Sequence, residues 1–203
     1  GRKGIRWISN LDKALRELGR SVGHDVFIYR GADQIYTIFQ DLVSLPPGSR
    51  IFGIQPDNSI RHALRKVDIK NWLDIDSQIK ENKYIFEGIV HEKSVETVIE
   101  QLGPKNAKDV FDSFIGRLED YVKIPEEFAN VESEIYIFGG SAYIINWNKE
   151  IAIAIHEKHI VELLLAIFSC VKELGTRYSQ NKKMELYKEI IDRKSSTHPN
   201  KPL

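Results

Sequence analysis

Two spacings of apolar residues alternate along this chain, and together they predict alternating helices and strands. Apolar residues recur every three or four positions in residues 32–44 and in residues 157–173, which predicts amphipathic helices. Continuous apolar runs at residues 50–54 and 84–90 instead predict buried strands. Weaker segments fit the same alternation: a strand at 26–29, a helix from about 58 to 67, and helical segments between 94 and 121 split at Gly103-Pro104. This pattern indicates an α/β domain with a mixed, largely parallel sheet flanked by helices.

The clearest local pattern closes the domain. Residues 135–138 and 142–145 are apolar runs on either side of Gly139-Gly140, and paired glycines favour a tight β-hairpin turn. A further strand is predicted over residues 150–155, followed by the long amphipathic helix of residues 157–173. The single cysteine, Cys170, lies within that helix, and we expect it to be a buried small hydrophobe.

Composition limits the classes of function. The chain has no apolar run long enough to cross a membrane and no signal-peptide pattern, and a lone cysteine fits a reducing cytoplasm. The formal net charge is zero, but residues 31–175 carry 15 Lys and Arg against 23 Asp and Glu. Such an acidic body would repel a phosphate backbone, so we expect no nucleic-acid surface on it.

Histidines are the first candidates for chemistry. His156 and His159 are three residues apart, but no third ligand lies nearby in sequence, so we expect no metal site and no cofactor. The tripeptide His-Glu-Lys occurs twice, at His91 and at His156, each time after a predicted strand. Phospholipase-D-type phosphodiesterases use a duplicated His-x-Lys with an Asp five positions after the Lys. Here those positions are Val98 and Leu163, so we expect no catalysis, with an active or degenerate phosphodiesterase as the alternative.

The run from Glu134 to Asn146, the strand of residues 149–155 and the apolar helix of residues 160–168 resemble the closing segment of TrmB-type transcription regulators. Tyr29-Arg-Gly31 and residues 50–54 resemble the start of the same effector domain. The resemblance implies a phospholipase-D-like fold without the catalytic motifs. It also implies a ligand-sensing domain that contacts DNA only through a winged helix upstream, and we expect this domain to form homodimers.

On this resemblance the chain divides into three parts. Residues 1–24 would be the end of a winged-helix module and a connecting helix, residues 25–175 the effector domain, and residues 176–203 a basic helical tail with a disordered end. The effector would be a small molecule, a sugar or another metabolite. A domain that only assembles a dimer, without any ligand, is the remaining alternative.

Ligand sites in α/β domains lie beyond the carboxyl ends of the strands. That rule selects polar and aromatic residues that follow the predicted strands, and the candidate ligand-binding residues are Gln55, Asp57, Asn58, Glu87, His91, Trp147 and Asn148.

Overall fold

The computed structural model describes residues 25–124 and 131–197, with side chains up to residue 193. The predicted end of a winged helix in residues 1–24 and the predicted disordered end of the chain after residue 197 lie outside the described residues. The strands are β1 (Val26–Arg30), β2 (Arg50–Gln55), β3 (Ile85–His91), β4 (Leu118–Ile124), β5 (Glu134–Phe138), β6 (Ser141–Asn146), β7 (Ile151–Ile155) and β8 (Thr176–Arg177). The helices are α1 (Ala32–Val43), α2 (Asp57–Lys66), α3 (Ile69–Glu81), α4 (Ser94–Ser113), α5 (Lys158–Glu173) and α6 (Gln180–Thr197).

The eight strands form one sheet in the order β1-β7-β6-β5-β2-β3-β4-β8. The α/β class is confirmed, but the expectation of a largely parallel sheet is wrong. Only the β2–β3 and β3–β4 ladders are parallel, and the other five are antiparallel. Antiparallel neighbours arise because β5, β6 and β7 follow one another through short turns, and such turns join antiparallel strands.

Strand directions give the sheet two distinct edges. Strands β1, β2, β3, β4 and β6 run in one sense and end at what we call the upper edge, where β5 and β7 begin. Gln55, His91 and Asn146 therefore mark the upper edge, while Ile155, at the end of β7, marks the lower edge.

The two faces of the sheet are covered unequally. Helices α1, α2, α3, α4 and α6 pack on one face and enclose the larger core, which includes Phe39, Ile79, Phe86 and Tyr136. Of the described helices, only α5 packs on the other face, where Val161 and Phe168 are buried against the strands. The segment after residue 175 packs into the larger core through Tyr178, Tyr187 and Ile190. The division of the chain at residues 24/25 and 175/176 stays a prediction.

The glycines that predicted a hairpin turn and a helix break are found at those features. Gly139 and Gly140 have φ values of 57° and 77° in the β5–β6 hairpin, and Gly103 breaks α4 with a φ of 74°. The helical prediction up to Tyr121 is wrong, because α4 ends at Ser113 and residues 118–124 form β4 beside β3.

The expected burial of Cys170 is also wrong, because its side chain is exposed. Helix α5 places only part of its apolar surface against the sheet, and Cys170 lies on the part that faces away.

Candidate functional site

A buried polar cluster lies at the upper edge, on the face that the larger helical layer covers. The Trp147 indole Nε1 donates a hydrogen bond of 2.6 Å to the Glu134 carboxylate, and both residues are almost fully buried. Beside them, Gln55 Nε2 donates to the Tyr136 hydroxyl over 2.7 Å. Trp147 is held by a stacked contact with the ring of Phe39, 6.1 Å between centroids.

Glu134 has an unusual environment for a carboxylate. Burial raises its pKa to about 7, although the hydrogen bond from Trp147 opposes that increase. Among the side chains that the structure describes, no cation pairs with it. Glu134 is therefore a buried acid that changes charge near neutral pH, which is the kind of group that occurs at functional sites.

Two buried ion pairs lie further down the same face of the sheet. The Arg117 guanidinium contacts the Asp76 carboxylate at 2.8 Å, and Lys183 on α6 contacts Glu119 on β4 at 3.0 Å. Burial raises the pKa of Asp76, although Arg117 opposes the increase, and burial lowers the pKa of Lys183. Arg117 also lies over the ring of Phe114, and its buried Nε atom has no hydrogen-bond partner in the described part of the chain.

A cavity of about 170 Å³ connects these groups between the sheet and the helices. Most of its wall is apolar, including Phe39, Leu64, Ile79, Val98 and Phe111. Its polar wall consists of Gln55, Asp76, Ser94, Arg117, Tyr121, Glu134, Tyr136 and Lys183, together with the indole of Trp72. Both Asp76 and Lys183 are neutralised by ion-pair partners, so Glu134 is the acid in this wall that lacks a cationic partner. The arrangement suits a small, mainly apolar molecule that presents one hydrogen-bond donor or one positive charge.

The predicted ligand-binding residues do not form one site. Gln55 lines the cavity, and Trp147 supports Glu134 from behind. Asp57 accepts a hydrogen bond of 2.5 Å from Thr97, and Asn58 donates to Glu132. Asn148 is exposed beyond β6.

The remaining two predicted residues lie away from the cavity. Glu87 projects from the opposite face of the sheet, where it pairs with Lys172 at 2.6 Å and with Arg50 at 2.8 Å. His91 is buried at the end of β3, where its Nδ1 accepts from the Lys93 amide and its Nε2 has no hydrogen-bond partner among the described residues. Of the seven predicted residues, the structure therefore places Gln55 in the cavity wall and Trp147 behind it, and leaves the other five away from the cavity.

Sequence reasoning missed the most distinctive members of the site. The alternation of Glu132 with Glu134, and of Asp74 with Asp76, predicts that these acids lie on solvated faces rather than act as catalytic pairs. That interpretation is wrong for Glu134, which is 2% exposed, and for Asp76, which is held in a buried ion pair. The residues next to Glu134 and Asp76 in sequence do not predict their burial, because that burial depends on segments distant in sequence.

The two His-Glu-Lys tripeptides are far apart in the fold. His91 is the last residue of β3, at the upper edge, whereas His156 follows β7 at the lower edge, where its Nδ1 lies 2.6 Å from the Ser141 hydroxyl. Four strand spacings also separate β3 from β7, about 19 Å across the sheet. The two histidines of one chain therefore cannot act on the same phosphate.

Within the described residues, no cluster of three His, Cys, Asp or Glu side chains could hold a metal ion. No helix in that part of the chain is long and apolar enough to cross a membrane.

Comparison with known proteins finds structural similarities, two of which are described here, and no sequence match. The sequence matches no protein-family model and no curated protein. The structure of TrmBL2, an archaeal chromatin protein described with a novel mode of DNA binding, is 9% identical, with a TM-score of 0.49, and the match covers 87% of this chain. This chain spans 65% of the TrmBL2 chain. The phospholipase D family member Nuc from Salmonella typhimurium is 11% identical, with a TM-score of 0.47, over 75% of this chain and 97% of Nuc.

These two proteins are of the two kinds that the sequence resemblance named. At TM-scores below 0.5, however, the similarities carry no conclusion about chemistry, which depends on the residues of this chain.

Proposed function

We propose that this chain is the non-catalytic sensor domain of a TrmB-like transcription regulator, which forms a homodimer and binds a small molecule in the cavity beside Glu134. The observation that carries the proposal is the cavity itself, because its mainly apolar wall contains a buried acid that no described cation neutralises. The regulator part rests on the sequence resemblance of residues 134–168, with DNA binding assigned to a module upstream of this chain.

The cavity favours one chemical class of ligand. Its volume of about 170 Å³ is close to that of cavities of about 150 Å³ that bind benzene. A sugar would bring many hydroxyl groups against a largely apolar wall, and each buried hydroxyl without a partner costs about 1–3 kcal/mol. We therefore favour a small aromatic or branched amine over a sugar as the effector.

The location of the cavity offers a route for a response. Its wall includes side chains from α1, α2, α3, α4 and α6, so an occupant would contact most of the helical layer at once. A ligand shifts a conformational equilibrium only by its difference in affinity between the two states. An occupant that fits one arrangement of these helices better than another would supply that difference.

The proposal is tested by thermal unfolding at pH 8 with 10 mM benzylamine, benzyl alcohol or glucose. For an amine that binds with a dissociation constant near 1 mM, we expect about 1.4 kcal/mol of stabilisation. In a domain of this size that free energy raises the melting temperature by roughly 3–5 °C. The stabilisation by benzylamine should be larger at pH 8 than at pH 6, because Glu134 is then ionised.

Two variants separate the cavity from other surfaces. Ala63→Leu fills the cavity and should abolish the stabilisation, whereas Arg65→Ala on the exposed side of the same helix should leave it unchanged. Equal stabilisation of the Ala63→Leu variant, or no response to any of the three compounds, would contradict the cavity as the ligand site. The DNA-binding part is tested separately, by measuring DNA binding of the natural polypeptide that contains this chain.

A further inference from the structure

Helix α5 carries an exposed row of apolar side chains that the core does not use. The α5 stripe consists of Ile160, Leu163, Ile167 and Cys170 on α5 and of Leu174, the residue directly after the helix, at spacings of three, four, three and four residues. The four large aliphatic members are between 42% and 74% exposed, and Cys170 is exposed as well. Alternating spacings of three and four place side chains along one seam of a helix, as in coiled coils.

The opposite side of α5 is already occupied. Val161 and Phe168 are buried against the sheet, and Leu164 and Val171 pack beside them. Lys172 anchors the carboxyl end of the helix to Glu87 and Asp120, each at 2.6 Å. The helix therefore cannot rotate to bury the α5 stripe without breaking its contacts with the sheet. A helix with apolar side chains on two sides usually has a partner on both.

The size of the α5 stripe fits pairing with itself. Its members expose on the order of 500 Å² of surface, so two copies would bury about 1,000 Å², close to the lower limit for a specific interface. In a dimer with a two-fold axis, the same surface patch of each copy forms the interface, so a single apolar row is sufficient.

The charges beside the α5 stripe also favour pairing with itself. Lys158 lies at the amino end of α5 and Glu173 at its carboxyl end, and both are exposed. Antiparallel pairing of two α5 helices would place each lysine near the partner's glutamate and would oppose the two helix dipoles.

From this we infer that the homodimer of the proposed function is formed by antiparallel packing of α5 helices through the α5 stripe. This inference rests on the dimeric part of that proposal and is independent of the ligand. It names the surface and the partner, a second copy of this chain.

The test combines molar mass with chemical cross-linking. Because Cys170 is the only cysteine of the chain, a short bismaleimide can join two copies only through the α5 stripe. At tens of micromolar protein, we expect a dimer by light scattering and a covalent dimer after cross-linking. Leu163→Glu/Ile167→Glu should weaken the dimer at least 100-fold and prevent cross-linking. The matched control Ile115→Glu/Val131→Glu changes two side chains of similar exposure elsewhere and should leave the dimer intact.

Other outcomes identify which statement fails. A dimer that survives Leu163→Glu/Ile167→Glu and is not cross-linked through Cys170 would overturn this surface while leaving a dimer in place. A monomer with readily labelled Cys170 would overturn both the surface and the dimeric part of the proposed function. A monomer whose Cys170 resists labelling would show that another segment of the same chain covers the α5 stripe, which also overturns the inference.

Discussion

Replacing Glu134 by Gln should stabilise the protein at alkaline pH and have little effect at acidic pH. Burial raises the pKa of Glu134 from an ordinary value of 4.5 to about 7, so the folded state retains a proton that the unfolded state loses. The stability that Glu134 contributes is thus fully present below pH 4.5 and is lost as the pH rises towards and through 7. Each pKa unit corresponds to about 1.4 kcal/mol, so the loss reaches about 3 kcal/mol at pH 8.

The assay is urea unfolding of both proteins at several pH values from 4.5 to 8. Gln keeps an oxygen that can accept the Trp147 hydrogen bond, so the variant should lack the pH-dependent penalty while retaining the local contact. The difference in free energy of unfolding between variant and parent should increase by about 3 kcal/mol over this range. A difference that is the same at pH 5 and pH 8 would refute the reasoning.

Glu132→Gln provides the matched control. Glu132 lies two residues earlier, and its side chain is 51% exposed beside His62. Because exposed ion pairs contribute about 0–1 kcal/mol, this variant should differ from the parent by no more than that at any pH.

Two further substitutions test the core around the cavity. Arg117→Met leaves the Asp76 carboxylate buried without its cation, and we expect a loss of about 3–5 kcal/mol in urea unfolding, with a smaller loss in Arg117→Met/Asp76→Leu. Equal losses in both variants would contradict a stranded charge as the cause. Gly88→Ala would place a Cβ atom 2.1 Å from the Tyr121 ring, so the melting temperature should fall by an amount equivalent to about 1–3 kcal/mol. Adding Tyr121→Leu should remove part of that loss, and strictly additive effects would show that the ring is not the obstacle.

Most of the elements could be predicted from the sequence, but the arrangement of the strands could not. The spacing of apolar residues is a local property, and it located β2, β3 and the β5–β6 hairpin correctly. Which strands become neighbours depends on contacts between distant segments. The pairing of β2 with β5, which reverses the direction of the sheet, joins residues more than 80 positions apart.

The candidate site shows the same limit at the level of single residues. Glu134 follows Glu132 and Ser133 at the start of a strand, and these polar neighbours do not indicate burial. Its environment comes from Trp147 after the next strand and from the helices above the cavity. Lys183 likewise lies in a basic segment, yet α6 places it against Glu119. The exposure of the apolar side chains on one side of α5 could not be predicted either. An apolar spacing in the sequence is the same whether a sheet or a second chain covers those side chains.

The position of β1 has a mechanical consequence. This strand lies at the end of the sheet, where its ladder partner is β7, and the ladder is extended by the hydrogen bond from the His156 amide to the Asp25 carbonyl. A load applied to the chain at residue 25 acts directly on β1. A pull along the strand would strain all five residue pairs of the ladder together, whereas a pull across the sheet would open them one after another. The direction of the load thus determines whether β1 resists with all its residue pairs at once or separates from β7 one pair at a time.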